Sequence, residues 1–400
     1  MNVSPYDVAV IGTGPAGSAA AYFLARGGLR VALLDKFDFP RDKTCGDGLT
    51  PRALDVLGSM GVLPQVEEYA YSCVALTVRN SDEVTYRIEL SGPEDPPRRI
   101  LILPRLRLDD ILRQHAVRAG AQFIPNAKAE NMTYEENGRV RLWVEGGQPL
   151  DCALAVIATG ANTGLLRKAG LLKHVPPPNL AARAYFENVD GLDDTIVLFF
   201  DGVEHPGYGW VFPTAPDAAN IGCGVFFDSR TPQPTHLQHL VQNHPYLQRI
   251  LRNARQVGPI KGYPLRTDFS SSITGKDRIL VTGEAIGLVN PITGEGIDYA
   301  LESAQLAADA ILNGWHNDLN ALVIQKNYRV ALVRKFRFPF ALGHLAQRLG
   351  FRDGIADKVL SRIQHRPHLH RVVINACFGL ASPISMFTPR TFWEVLRPWD

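Results

Sequence analysis

Three glycines at fixed spacing carry the first readable chemistry of this 400-residue chain. Gly12-Thr-Gly14-Pro15-Ala16-Gly17 is a GxGxxG turn. The first glycine permits the tight turn, the second lets the backbone approach a pyrophosphate, and the third lets a helix pack closely on a strand. Unpaired N–H groups and the dipole at the helix start stabilise phosphate charge there. Asp35 follows at the distance at which an acid accepts hydrogen bonds from a ribose. The chemistry this points to is dinucleotide binding, and the plainer alternative is an ordinary glycine-rich turn of an α/β fold.

The elements that must position these groups are legible around them. Tyr6 to Gly12 is an apolar, β-branched run, Ala16 to Leu24 is rich in helix formers, and Val31 to Asp35 is a second apolar run ending on the acid, completing a βαβ unit. Residues 105–118 have helical spacing, Gln122–Ile124, Val140–Val144 and Leu154–Thr159 read as strands, and Gly160 follows the last of them. From about 180 to 230 the pattern changes to short strands broken by turns, Ala182–Phe186, Ile196–Phe200, Tyr208–Phe212 and Asn220–Phe226, which suits an antiparallel sheet. The nucleotide pattern returns with the strand Arg278–Thr282, then Gly283-Glu284-Ala285, then Pro291-Ile-Thr-Gly294-Glu-Gly296-Ile297 leading into a helix to Leu312. A second phosphate-type helix start so far along the chain suits an extended cofactor lying across the domain, and FAD is such a cofactor.

These segments, with Arg105-Leu-Arg-Leu-Asp109 opening a helix, resemble the flavoprotein family of aromatic hydroxylases, halogenases and geranylgeranyl reductases over residues 6–312. Arg41-Asp-Lys-Thr-Cys45-Gly46-Asp47-Gly48 and Tyr208-Gly-Trp210-Val-Phe212-Pro213 are most similar to its geranylgeranyl reductase branch, which saturates isoprenoid double bonds with reduced FAD. The resemblance implies that Gly12, Gly14 and Gly17 hold the pyrophosphate, Asp35 the adenosine ribose, Arg105 the ribityl-phosphate region, Glu284 the ribityl side, and Gly294, Gly296 and Ile297 the flavin ring edge. Pro15, Ala16, Lys36, Arg41, Ala129, Gly160, Gly283 and Pro291 are the further cofactor-binding residues it implies. Cys45 and Gly46 come to lie beside the reacting carbon, and Tyr208, Trp210 and Phe212 line an apolar tunnel. Two departures stand out: Glu284 replaces the usual aspartate, and Thr159-Gly160 replaces the usual Asp-Gly.

Tyr208, Trp210 and Phe212 alternate with Gly209 and Val211, so all three share one face of a strand. That face is either a packed aromatic core or a wall that binds a prenyl chain and stabilises developing positive charge by cation–π attraction. Cys45, Tyr208 or a water they hold is the candidate proton source, and Cys45 serves equally as a positioning or packing group.

The fold expected is α/β: a Rossmann-like FAD domain, an inserted antiparallel β-sheet substrate domain and a C-terminal helical extension. The boundaries expected are 1–75, 100–175 and 275–330 for the FAD domain, 76–99 and 176–274 for the substrate sheet, and 331–400 for the extension. Length above what one core supports agrees with this division. A net charge of +2 argues against nucleic acid. Five scattered cysteines with no CxxC pair argue for a reducing compartment and no zinc, and no metal is expected of the four C-terminal histidines, His344, His365, His368 and His370. The N-terminus lacks a signal core, so the expected location is cytoplasmic. Residues 331–400 carry eleven Lys/Arg against four Asp/Glu, with breaks expected at Pro339, Pro367, Pro383 and Pro389. Large apolar groups at Phe336–Phe340, Met386-Phe387 and Phe392-Trp393 make peripheral contact with an anionic membrane surface one reading of that region. The activity the resemblance implies is FAD-dependent saturation of carbon–carbon double bonds in a geranylgeranyl-type substrate, with NAD(P)H or another electron donor. Its rivals are an FAD monooxygenase or halogenase on the same scaffold, and a non-redox FAD-containing cyclase or binding protein for a polyketide or terpene.

Overall fold

The computed structural model describes residues 6–80, 83–91, 96–135, 138–176, 179–204, 206–225, 232–315 and 319–350, with Arg366, Leu369, Val372, Thr388 and Trp393. At its centre the strand Tyr6–Ile11 runs parallel between Val31–Leu34 and Leu150–Ile157. Ile279–Val281 pairs parallel beyond the latter, and Gln122–Ile124 beyond Val31–Leu34. Parallel strands covered on both faces favour unbroken apolar runs over alternation, and Val8–Ile11 and Val31–Leu34 are of that kind. From the central strand the chain moves first to one side and later to the other. The switch point opens a crevice beyond the carboxyl ends of Tyr6–Ile11 and Leu150–Ile157, where such sheets bind ligands.

The helix Pro15–Arg26 lies over this sheet, with Arg105–Arg118 and Ile297–Trp315 beside it. Ala19, Ala20 and Ala21 are fully buried, and their small side chains let three layers approach the same helix. Gly27 serves the same end, because a Cβ there would lie 2.2 Å from Leu312.

A second, seven-stranded sheet is built from residues 75–89 and 179–265, in the order 255–265, 179–187, 218–225, 207–215, 195–199, 75–80, 83–89. Every pairing is antiparallel except 195–199 with 75–80. Alternation sorts its faces. Val197, Phe199, Val211, Ile221 and Cys223 pack under the helices Gln233–Asn243 and Pro245–Ile250, while Ile196, Leu198, Tyr208, Trp210 and Phe212 turn to the interior cavity. A three-stranded sheet of Gly48–Leu49, Ile100–Ile102 and Tyr71–Cys73 joins the two layers. The chain is an α/β protein with a Rossmann-like parallel sheet and a largely antiparallel second sheet.

After Ala321–Leu332 the chain passes through one wide π-helical turn, Val333–Arg337, into the helix Phe338–Gly350. The break expected at Pro339 is absent. Proline follows directly on the π-helical turn, where the hydrogen-bond ladder shifts register and a residue without an N–H is accommodated inside the continuing helix. The expectation for Phe336 and Phe340 is also corrected. Both are 1% exposed and pack edge-on against Phe269 and Tyr299, so only Phe338, 55% exposed, stands at the surface. The amphipathic period explains this, since positions 336 and 340 fall one turn apart on the inner face. Trp393 is exposed. Phe226, Cys377, His365, His368, His370, Pro367, Pro383, Met386, Phe387, Pro389 and Phe392 lie outside the described residues. Among the described residues no helix is long and apolar enough to cross a membrane.

Candidate active site

A cavity of about 900 Å³ separates the two sheets and runs from the glycine turn to the aromatic strand. At its first end the glycines divide by what surrounds them. Gly12 has φ +100° and a Cβ there would lie 2.4 Å from the Ala158 carbonyl oxygen, while one on Gly17 would lie 1.7 Å from the Gly12 carbonyl oxygen. Gly14 meets only guanidinium groups, those of Arg105 at 3.6 Å and Arg41 at 3.7 Å. Its helix has no side-chain cap, so the first-turn N–H groups point into the space that the two guanidiniums overlook. These donors fit a pyrophosphate. Arg105 is buried, which works against its charge, yet Asp109 grips it at 2.6 and 2.8 Å and pushes its pKa up. Asp109 also receives Arg41 at 3.0 Å.

Asp35 closes the turn from the side. Its carboxylate accepts the Thr13 N–H at 2.8 Å and the Phe37 N–H at 3.0 Å while lining the cavity with Lys36 and Ala129. Gly160 and Gly283 both take positive φ, and a Cβ on Gly283 would lie 2.9 Å from Ala16. Gly283–Ile286 is a single 3₁₀ turn, and the long helix begins only at Ile297. The longer Glu284 side chain accepts the Arg266 N–H at 3.3 Å and faces Lys43 at 3.8 Å. Asn290 shapes the next loop by accepting the Ile292 and Thr293 N–H groups, and Gly294, Gly296 and Ile297 border the cavity, whereas Pro291 is not part of its lining and packs against Gly343.

At the other end the segment Arg41–Gly48 meets the aromatic strand. A Cβ on Gly46 would lie 3.2 Å from Phe212 and 3.7 Å from the Trp210 indole nitrogen. Cys45 is half-buried and its sulfur accepts the Asp47 N–H at 3.3 Å. Tyr208 donates its hydroxyl proton to the Thr293 carbonyl, tying the aromatic strand to the 290–297 loop. The structure thus brings Cys45, Gly46, Tyr208, Trp210 and Phe212 to one cavity with the glycine turn, Asp35, Lys36, Arg41, Arg105, Ala129, Gly160, Glu284 and residues 294–297.

A polar network within this wall went unread in the sequence. Asp47, fully buried at φ +67°, accepts from Tyr185 Oη at 2.6 Å, Asn220 Nδ2 at 2.7 Å and the Arg105 N–H at 3.2 Å. Burial pushes its carboxyl up to about 6, against the pull of those donors and of Arg183 and Arg105. Asn220 also accepts the Trp210 indole N–H at 3.0 Å and donates to the Cys45 carbonyl at 2.7 Å. One amide therefore fixes both the cysteine loop and the tryptophan. The available signal was a lone asparagine on the inward face of an otherwise apolar strand. His344 donates its Nε2 proton to the Thr267 carbonyl, 2.8 Å away, and so serves as a structural group.

A profile of the FAD binding domain matches residues 5–315. The chain belongs to this FAD-binding family. It is by that membership an FAD-dependent oxidoreductase of the superfamily that includes geranylgeranyl reductases. It is 32% identical over 380 residues to a menaquinone reductase of Mycolicibacterium smegmatis, covering 89% of this chain and 91% of that one. It is 32% identical to digeranylgeranylglycerophospholipid reductase 2 of Methanothermobacter thermautotrophicus, over 77% of this chain and 79% of the other. A geranylgeranyl bacteriochlorophyll reductase-like protein of Thermoplasma acidophilum shares the fold, with TM-score 0.77, 21% identity, and coverage of 98% and 96% of the two chains.

Proposed function

We propose that this enzyme saturates carbon–carbon double bonds in an isoprenoid chain. The observation that carries the reading is the meeting of Cys45-Gly46 with Trp210 and Phe212 at one end of a cavity that Leu76, Val78, Ile196 and Leu198 continue as an apolar channel. Bound in reduced form, FAD supplies a hydride at that end. On this reading the glycine turn, Arg41 and Arg105 hold the pyrophosphate, Asp35, Lys36 and Ala129 the adenosine end, Gly160, Gly283 and Glu284 the ribityl chain, and Gly294 to Ile297 the ring edge. Tyr208, Trp210 and Phe212 seat the alkene and exclude water, and Cys45 stands at the reacting carbon. NAD(P)H or another electron donor reloads the flavin. Residues 76–99 and 176–274 form the substrate domain, and Phe338 with the basic residues around it offers a contact to the lipid phase from which such a substrate arrives.

The relatives named for menaquinone and for digeranylgeranylglycerophospholipid share a prenyl chain, which supports the channel as the common recognition element. The first name also favours a second reading, reduction of a quinone ring. A prenylated naphthoquinone separates the two. Mixed anaerobically with enzyme that has been reduced and freed of excess reductant, it is expected to gain two mass units per bond in the chain while keeping the quinone absorbance. Loss of that absorbance, restored by air, would establish ring reduction instead. A product sixteen mass units heavier, formed only with oxygen, would establish a monooxygenase.

A further inference from the structure

Saturating an alkene consumes a proton with each hydride, and an apolar channel has to be given that proton by a side chain. Most carboxyls at the cavity are committed elsewhere. Asp35 accepts two backbone N–H groups, Asp42 pairs with Arg183 and Lys261, and Asp47, although it lines the cavity, is held by three donors. Glu284 holds the Arg266 N–H and faces Lys43, and Glu130 stands at the opposite end beside Ala129. Glu295 is different. It lines the cavity between Gly294 and Gly296, its backbone pinned by the Asn290 N–H bond to its carbonyl at 2.7 Å.

The helix that begins two residues after Glu295 carries a row of charged groups that ends in solvent. Asp298 and Glu302 stand one turn apart on the helix Ile297–Trp315. Arg52, from the helix Pro51–Met60, reaches both, at 3.4 Å to Asp298 and in a close pair with Glu302. Its guanidinium also stacks 4.5 Å from the Tyr299 ring centre. Lys335 meets Glu302 at 2.9 Å with its own side chain 45% exposed. Three carboxyls thus face two cations, so one carboxyl has no compensating charge and keeps a proton. Glu295 is half-buried. Burial first and the Asp298 charge next push it well above the usual carboxyl range against the pull of Arg52 and of the Thr50 hydroxyl, while burial lifts Asp298 to about 6 against Arg52.

We propose that Glu295 donates the proton to the isoprenoid carbon, that Asp298 and Glu302 resupply it from solvent, and that Arg52 is the residue positioning them; this rests on the reductase reading above. The alkene π bond breaks. One new C–H bond takes the hydride and its two electrons from the reduced flavin, which is left oxidised, and the other takes the proton from the Glu295 carboxyl. The Glu295 carboxylate recovers a proton from Asp298, which recovers one through Glu302 from water.

The test uses the full FAD-loaded enzyme with Glu295→Gln, Asp298→Asn and Glu302→Gln. In the infrared, the parent is expected to show the carbonyl stretch of a protonated carboxyl at neutral pH, and Glu295→Gln to lose it. In anaerobic stopped flow with enzyme reduced and freed of excess reductant, and geranylgeraniol in detergent, Glu295→Gln should slow flavin reoxidation by about 10²-fold and lose the parent's decline at high pH. Asp298→Asn should move that decline to lower pH, because a neutral neighbour lets Glu295 ionise more easily. Glu302→Gln should slow turnover less than Glu295→Gln does. If Glu295→Gln fails to bind FAD, Glu295→Asp and the shift in Asp298→Asn decide the matter. A parental rate and pH profile in Glu295→Gln, or an infrared band that persists in it, would overturn the proposal. A parent that no isoprenoid alkene reoxidises would overturn the reductase reading instead, while the infrared band still reports on Glu295.

Discussion

The two ends of the cavity use glycine for opposite purposes. In the nucleotide turn, Gly12 and Gly17 are required because backbone oxygens stand 2.4 and 1.7 Å from where a Cβ would be. In the aromatic sheet, Gly209 and Gly222 make room for rings: a Cβ would fall 2.1 Å from Phe199 in the first case and 2.1 Å from Trp210 in the second. The first pair shapes main chain for a ligand that every family member shares. Gly222 recesses Trp210 to shape the cavity wall, where substrates can be told apart, while Gly209 makes the same room for Phe199 on the helix-covered face of the sheet. Cofactor binding is therefore written in backbone and is rigid, while selectivity is written in side-chain volume and is adjustable.

Gly17→Ala tests the rigid half and should have the largest effect. No rotamer relieves a clash with a carbonyl of the preceding turn, so a loss of more than about 4 kcal/mol is expected. The variant should be colourless and unfold early, read from flavin absorbance and thermal melting. Gly222→Ala tests the adjustable half. Its methyl pushes on the Trp210 ring, although the Ala182 carbonyl at 2.5 Å shares the strain, for a cost of about 1–3 kcal/mol. It should keep stoichiometric FAD and reoxidise at least tenfold more slowly with an alkene. Loss of FAD before loss of turnover in Gly222→Ala would erase the division between the two halves.

A pH-dependent effect, absent in acid and at most comparable to that of Gly222→Ala, concerns Asp47, where the halves meet. Its folded-state pKa of about 6 lies above the ordinary value, so folding favours the protonated form. The sign follows: this stability is fully present below about pH 4 and is lost as pH rises through 6. Urea unfolding of the parent and Asp47→Asn across pH 4 to 7 should show the parent losing up to about 3 kcal/mol relative to the variant. A difference that is flat with pH would mean that the carboxyl is compensated by its donors and carries no penalty.

The same division sets what the sequence discloses. The glycine turn, Asp35 and the alternation of Tyr208, Trp210 and Phe212 are local patterns, and a run of a few residues contains the whole signal. The α/β class and the change to an antiparallel sheet near residue 180 are legible for the same reason. The clamp of Asp47 by Tyr185 and Asn220 is assembled across more than 130 residues of chain, and no spacing rule connects its members. Arg52 and Glu302 are likewise 250 residues apart. The fate of Phe336 and Phe340 turned on Phe269 and Tyr299, whose positions only the tertiary fold supplies. Long-range polar pairs and burial of a terminal helix are properties of the packed molecule, so local chemistry underestimates them.

The central strand Tyr6–Ile11 is made early by the ribosome, but its neighbour Leu150–Ile157 and the strand beyond it, Ile279–Val281, emerge far later. Between them the whole second sheet is synthesised, and that sheet itself waits, because 75–80 finds its parallel partner only at 195–199. The nascent chain therefore carries an open parallel edge through most of its translation. Pairings this distant in sequence close slowly and leave unpaired strands exposed to self-association. Production of this enzyme should depend more on chaperone supply and elongation rate than its compact finished form suggests, and N-terminal fragments ending before residue 279 should aggregate however well their local motifs are preserved.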